Sequence, residues 1–256
     1  MAALRSHRTI AARRRLQQAA FIPANRSACK LNTPAPRPAK RPELPFDRAA
    51  LIALLARGCV DLGLALETSR QERLIDYLAE LHKHNQLHNL TAIREPEQMV
   101  AKHLLDALSV LPFARCERLV DVGSGGGIPG LPLLLAGACE SLLLIDSVGK
   151  KARVMQEIVD SLGLSAQVEV AHARCESVDG RRGGSKVIAR AFGSLAEFAR
   201  FAGHLVAPSG ALLAMKGKSP ESELAQLPRP WVLAEQHLLQ VPQVEGERCL
   251  IVLRRG

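Results

Sequence analysis

The stretch Leu119-Val120-Asp121-Val122-Gly123-Ser124-Gly125-Gly126-Gly127-Ile128-Pro129-Gly130 restricts this chain more than any other. It reads as a buried strand, a tight turn and a helix start. Its glycines permit positive φ and close backbone approach. Pro129 and Pro132 suit a helix's first turn, where amide hydrogens have no intrahelical acceptor. The turn therefore belongs at the carboxyl end of a first parallel strand, the place where open α/β sheets bind ligands.

The choice of ligand follows from the spacing. A dinucleotide fingerprint needs glycines at the first, third and sixth positions of the turn. Gly123 and Gly125 satisfy the first two, but Ile128 occupies the sixth. Two prolines also remove amide donors from the helix start, which weakens it as a pyrophosphate cradle. Asp121, just before the turn, suits S-adenosylmethionine better. That molecule has no phosphate and carries a positive amino group. A turn that only connects strand to helix, and a nicotinamide site, remain the alternatives at this point.

The net charge of +9 is concentrated at one end. Residues 1–42 hold ten Lys/Arg and no acid, leaving 24 basic against 25 acidic residues for the remainder. A basic surface on the folded part must therefore come from local clustering. Residues 1–45 also hold six of the fifteen prolines. The expectation is a disordered basic tail, or an upstream start codon that the cell does not use. An RNA-attracting arm and an organellar transit peptide compete with it. Six cysteines, at 29, 59, 116, 139, 175 and 249, form no Cys-x-x-Cys motif. That favours reduced thiols in a cytoplasmic protein over zinc or disulfides. No apolar run is long enough to span a bilayer.

Helical spacing places a first helix over 47–58 and a second from Ser69, with Ser69 and Glu72 as a capping box. His84 and His88 in the second helix are four apart, a spacing that suits a metal. The expectation is a polar helix end facing solvent or RNA, and no metal. A third helix opens at Glu95-Pro96. These helices, over 46–116, read as a cap. From 117 to 256 strands and helices alternate and then end in a hairpin, which matches a mostly parallel sheet with one antiparallel strand.

The strand ends bring Gly123 and Gly125, Asp146, Cys175 and Glu176, Arg190 and Lys216 to one rim. Asp146 is 23 residues after Gly123 and is placed to accept both ribose hydroxyls. Glu176 can accept from the exocyclic amine of adenine. Arg174, Arg190 and Lys216 aim at the same crevice and suit an RNA backbone. Ion pairs with Asp121, Asp146 or Glu176 are their plainer explanation. Lys150, Lys151 and Arg153 cluster at a helix start, the wrong end for cations, and an external partner and a solvated charge cluster both account for them.

Asn89-Leu90-Thr91, Lys102-His103-Leu104-Leu105-Asp106, the turn Asp121–Gly130, Asp146-Ser147-Val148-Gly149-Lys150-Lys151, Ala189-Arg190-Ala191-Phe192 and Lys216-Gly217 occur in this order. In these motifs, over roughly 46–254, the chain resembles the RsmG (glucose-inhibited division protein B) family of bacterial 16S rRNA guanine-N7 methyltransferases. The resemblance implies a seven-stranded Rossmann-like methyltransferase fold, dependent on S-adenosylmethionine, with an N-terminal helical cap. It implies methylation of guanine N7 at nucleotide position 527 of 16S rRNA, by a cytoplasmic monomer with no membrane contact. Cofactor contacts carry over to Gly123, Ile128, Cys175, Glu176 and Arg190. The turn residues Ser124 and Gly125 and the strand-end Asp146 join them. Arg174 and Lys216, with Lys150, face the RNA. No general base is expected. A small-molecule metabolite is the alternative substrate. The family often has aromatic residues near His84-Asn85 and at His88, where this chain has His and Asn.

Overall fold

The computed structural model describes residues 46–256; the basic segment 1–45 lies outside them. The chain starts with α1 (Arg48–Asp61), capped by Asp47, whose Oδ1 accepts from Ala50 N at 3.1 Å. Next is α2 (Thr68–His88). It begins one residue before the expected start, so Ser69 lies inside the first turn and caps nothing. Its hydroxyl donates to Glu67 Oε2 instead. α3 (Pro96–Met99) continues through a π-helical stretch, Val100–Leu105, into α4 (Asp106–Leu108), and a short α5 (Leu111–Ala114) follows.

The sheet then forms by alternation. Its elements are β1 (Arg118–Val122), α6 (Gly130–Leu135), β2 (Ser141–Asp146), α7 (Gly149–Ser161), β3 (Val168–His172) and β4 (Gly184–Arg190). They continue with α8 (Leu195–Ala202), β5 (Val206–Lys216), α9 (Glu221–Leu224), β6 (Trp231–Leu238) and β7 (Cys249–Arg255). A capping box does occur, at Ser194 and Glu197 of α8. β5 starts five residues before the expected Ala211, because Val206 pairs with Gly184 across a bulge.

The strand order is β3-β2-β1-β4-β5-β7-β6. The first five strands are parallel, and β7 runs antiparallel between β5 and β6. The final hairpin thus inserts its second strand next to β5. This differs from the dinucleotide-binding order, which ends in a sixth parallel strand.

Alternating strand residues bury two cores. Leu119, Leu142, Leu144, Ile188 and Leu213 face α1, α2, the π-helical stretch, α6 and α7. Val120, Val122, Leu143, Val187 and Leu212 face α8 and Trp231 on the other side. The cap helices share the first core with the sheet. No helix among the described residues is long and apolar enough to cross a membrane.

Candidate active site

The strand registers set the predicted rim. Asp146 lies opposite His172, and Arg190 opposite Met215, so the loops after β1 to β5 emerge along one edge. The turn after β1 is closed from several sides. Gly123, Gly125 and Gly127 have φ of +73°, +59° and +90°. Gly123 N and Ser124 N donate to Ile145 O. Asp146 Oδ2 accepts from Gly125 N at 2.9 Å, and its Oδ1 accepts from Val148 N at 2.8 Å. One carboxylate thus ties the glycine turn to the start of α7 and keeps lone pairs for hydroxyl donors.

One expectation at the turn, that Asp121 meets the ligand's amino group, is corrected. Asp121 is fully buried, and its Oδ2 accepts from Gly130 N at 2.8 Å. It faces the start of α6, so it does not meet a ligand's amino group. Burial pushes its pKa up to about 7. The Ser124 hydroxyl also points inward, donating to Asp121 O at 2.8 Å. Ser124 can meet a ligand only through its backbone.

The cap holds the turn from the other side. Tyr77 of α2 is buried and donates to Gly126 O at 2.9 Å. Asn85, also buried, donates to Ile93 O and accepts from Thr91 N, at 3.0 and 2.9 Å. These bonds lay the segment 89–93 over the turn. Below it is a cavity of about 200 Å³ bordered by Leu81, Thr91, Gly123, Ile128 and Arg190. Through Thr91, Arg190 and Ala191 it adjoins a larger chamber of about 630 Å³, walled by Lys102, His103, Asp106, Lys216 and Arg248.

Neither Tyr77 nor Asn85 carries a sequence signal that separates it from ordinary core. Tyr77→Phe is expected to lower stability by about 1 kcal/mol, because one buried carbonyl loses its donor. It should also weaken donor binding by a comparable amount, read by calorimetry. Unchanged binding would mean that the turn holds its shape without α2.

Most rim cations are already paired. Arg190 Nη1 donates to Lys102 O (2.9 Å), within the π-helical stretch, and to Asp106 Oδ2 (3.2 Å). Arg248 Nε lies 3.4 Å from Asp106 Oδ1. Lys216 Nζ donates to Gly193 O and to Glu223, at 2.7 and 2.9 Å. The ion-pair explanation holds for both residues, but with Asp106 and Glu223 in place of the expected acids. His103 is buried and contacts Thr91 Oγ1 through Nε2 at 3.1 Å. Burial, reinforced by Arg190, lowers its pKa to about 4, so the imidazole is neutral.

The remaining predicted residues lie outside the two cavities. Cys175 is buried and its thiol donates to Glu176 Oε2 at 3.4 Å. Burial first, and Glu176 second, push that thiol up to about 12. The Glu176 side chain is 43% exposed and faces Arg174, itself 78% exposed, at 3.9 Å. Lys150 is exposed on the first turn of α7. His84 has Glu80 one turn before it on α2, and folding also brings Glu157 of α7 beside both His84 and His88.

The space above Gly123 tests the fit of a ligand. A Cβ built there meets no atom within 4 Å. The turn leaves room over the sheet edge, and Asp146 offers acceptors next to it. A parallel sheet with this reversed hairpin, and a glycine turn of this shape, define a Rossmann-like methyltransferase that uses S-adenosylmethionine. A solved protein of the NADB-Rossmann superfamily from Streptococcus agalactiae has the same general fold. Its TM-score is 0.50 at 17% identity, covering 59% of this chain and 68% of that one. The family model described as rRNA small subunit methyltransferase G matches residues 70–251. Ribosomal RNA small subunit methyltransferase G of Pseudomonas aeruginosa is 44% identical over 202 residues, covering 78% of this chain and 94% of that protein. The Nitrosospira multiformis protein of the same name is 45% identical over 209 residues, covering 79% and 96%. This chain belongs to the rRNA small subunit methyltransferase G family.

Proposed function

We propose that the chain methylates N7 of a guanine, at nucleotide position 527, in 16S rRNA of the small ribosomal subunit. The larger chamber carries this reading. It is wide enough for a purine turned out of its stack, and it joins the cavity over the glycine turn at Arg190 and Thr91. Enzyme and substrate would meet in the cytoplasm, with the protein acting as a monomer.

When bound, S-adenosylmethionine supplies an electrophilic methyl group on a sulfonium sulfur. Gly123, Gly125 and Ile128 would shape its bed, and Asp146 would accept its ribose hydroxyls. Glu176, oriented by the Cys175 thiol, would accept from the adenine amine. Guanine N7 presents a free lone pair at neutral pH, so no side chain has to remove a proton. The chamber residues instead orient the base and exclude water. Asp106 holds Arg190 and Arg248 in place, Glu223 holds Lys216, and His103 is neutral, so no imidazolium faces the base.

The phosphates then fall to the exposed cations. Arg174→Ala and Lys150→Ala should each weaken RNA binding across sequences and reduce the salt slope by about one. Donor affinity should stay normal. Lys216→Ala should lower methyl transfer more than RNA affinity, because Lys216 joins Gly193 to α9 at the chamber wall. Filter binding at several salt concentrations and calorimetry with the donor separate these effects. Lost donor affinity in Arg174→Ala would move that residue to the cofactor side. Methyl transfer to 30S subunits, free rRNA and a metabolite panel tests the substrate itself. Transfer to a metabolite and none to RNA would replace this reading.

A further inference from the structure

The end of α2 carries a constellation that methyl transfer does not use. His84 and His88 are one helical turn apart on the same face. Their rings are 6.1 Å apart, with planes 22° from parallel. Glu157, from the middle of α7, approaches both. One ligand atom from each of the three residues lies within 4.8 Å of the others. We propose that His84, His88 and Glu157 form a binding site for one divalent transition-metal ion of the zinc class.

Three observations support a metal over a plain ion pair. First, His84 Nδ1 is buried, has no hydrogen-bond partner, and points toward Glu157 Oε2 at 3.6 Å. A buried ring nitrogen without a partner is costly, and a bound ion would satisfy it. Second, the donors are two imidazoles and one carboxylate. That set suits zinc, with a fourth position left for water, whereas magnesium and calcium prefer all-oxygen surroundings. Third, the geometry needs little adjustment. Tetrahedral zinc at ~2.0–2.1 Å from each donor places donors about 3.4 Å apart. The His84–Glu157 distance already matches this. The Glu157 side chain is 49% exposed and free to close the remainder. Glu80 Oε2, 3.7 Å from His84 Nε2, would support the ring from behind.

The position gives the ion a consequence. α2 holds the glycine turn through Tyr77 and the covering segment through Asn85, while α7 begins just after Asp146. An ion joining the end of α2 to α7 braces two elements on either side of the cofactor bed.

The test uses the full-length protein, stripped with chelator and titrated with Zn²⁺ and with Co²⁺. One equivalent should bind. The Co²⁺ form should show tetrahedral visible absorption without a thiolate charge-transfer band. His88→Gln and Glu157→Gln should each weaken binding at least about tenfold, with melting of the metal-free protein unchanged. Zinc should raise the melting temperature of the wild type and not of either variant. No retained equivalent, a thiolate signature, or equal affinity in all three proteins would overturn the site.

Discussion

Gly123→Val is expected to lower the affinity for S-adenosylmethionine by about a hundredfold or more in calorimetry. Two effects combine. A β-branched residue at φ +73° is held in a strained region, at a cost of about 1–3 kcal/mol. Its methyl groups would also fill space that no protein atom occupies, where the donor is proposed to lie. Gly63→Val separates the two. Gly63 has φ +67° and equally open surroundings, but lies between α1 and α2, away from the rim. It should show similar strain in a melting curve and bind the donor normally. A Gly123→Val protein with normal donor affinity would remove the glycine turn from the site.

Asp106→Ala is expected to be the most damaging single change in the chamber. The Asp106 side chain is 8% exposed and lies between Arg190 and Arg248. Removing it leaves two guanidinium groups facing one another without a counter-charge. Because the Arg190 and Arg248 side chains are about a third exposed, water screens the charges left behind and the cost is about 1–3 kcal/mol. For a domain of this size, that lowers the melting temperature by about 5 °C. Methyl transfer should fall with it, because Arg190 borders both cavities. The double variant Asp106→Ala/Arg190→Ala should be less unstable than the two single losses together. Strict additivity would dissolve the pair. Asp106→Asn, which keeps an acceptor for Arg190, should fall between wild type and alanine.

These two residues differ in how much of their role can be read from sequence. Gly123 announces itself, because strand, glycines and prolines are contiguous and each restricts the backbone locally. Asp106 does not. It occurs in a helical pattern that also fits an ordinary surface acid, and its partners are 84 residues away in the case of Arg190. Lys216 shows the same limit. Its cationic character and its strand-end position were legible, but Glu223 as its partner was not. Asp121 and Ser124 were legible as turn residues, while the direction of their side chains was not. Both point inward because the turn leaves Gly130 N and the Asp121 carbonyl to be satisfied within the protein.

The sequence by itself determined the order of elements, the turn between β1 and α6, the rim that gathers the strand ends, and, through its motifs, the family. Those properties depend on local backbone preference and on periodicity, which neighbouring residues carry among themselves. Tertiary structure alone decided which charges cancel, which side chains brace the turn from α2, and that Glu157 stands beside two histidines. Such pairings are set where distant helices close on a common core, and no local pattern specifies what will face what across that closure.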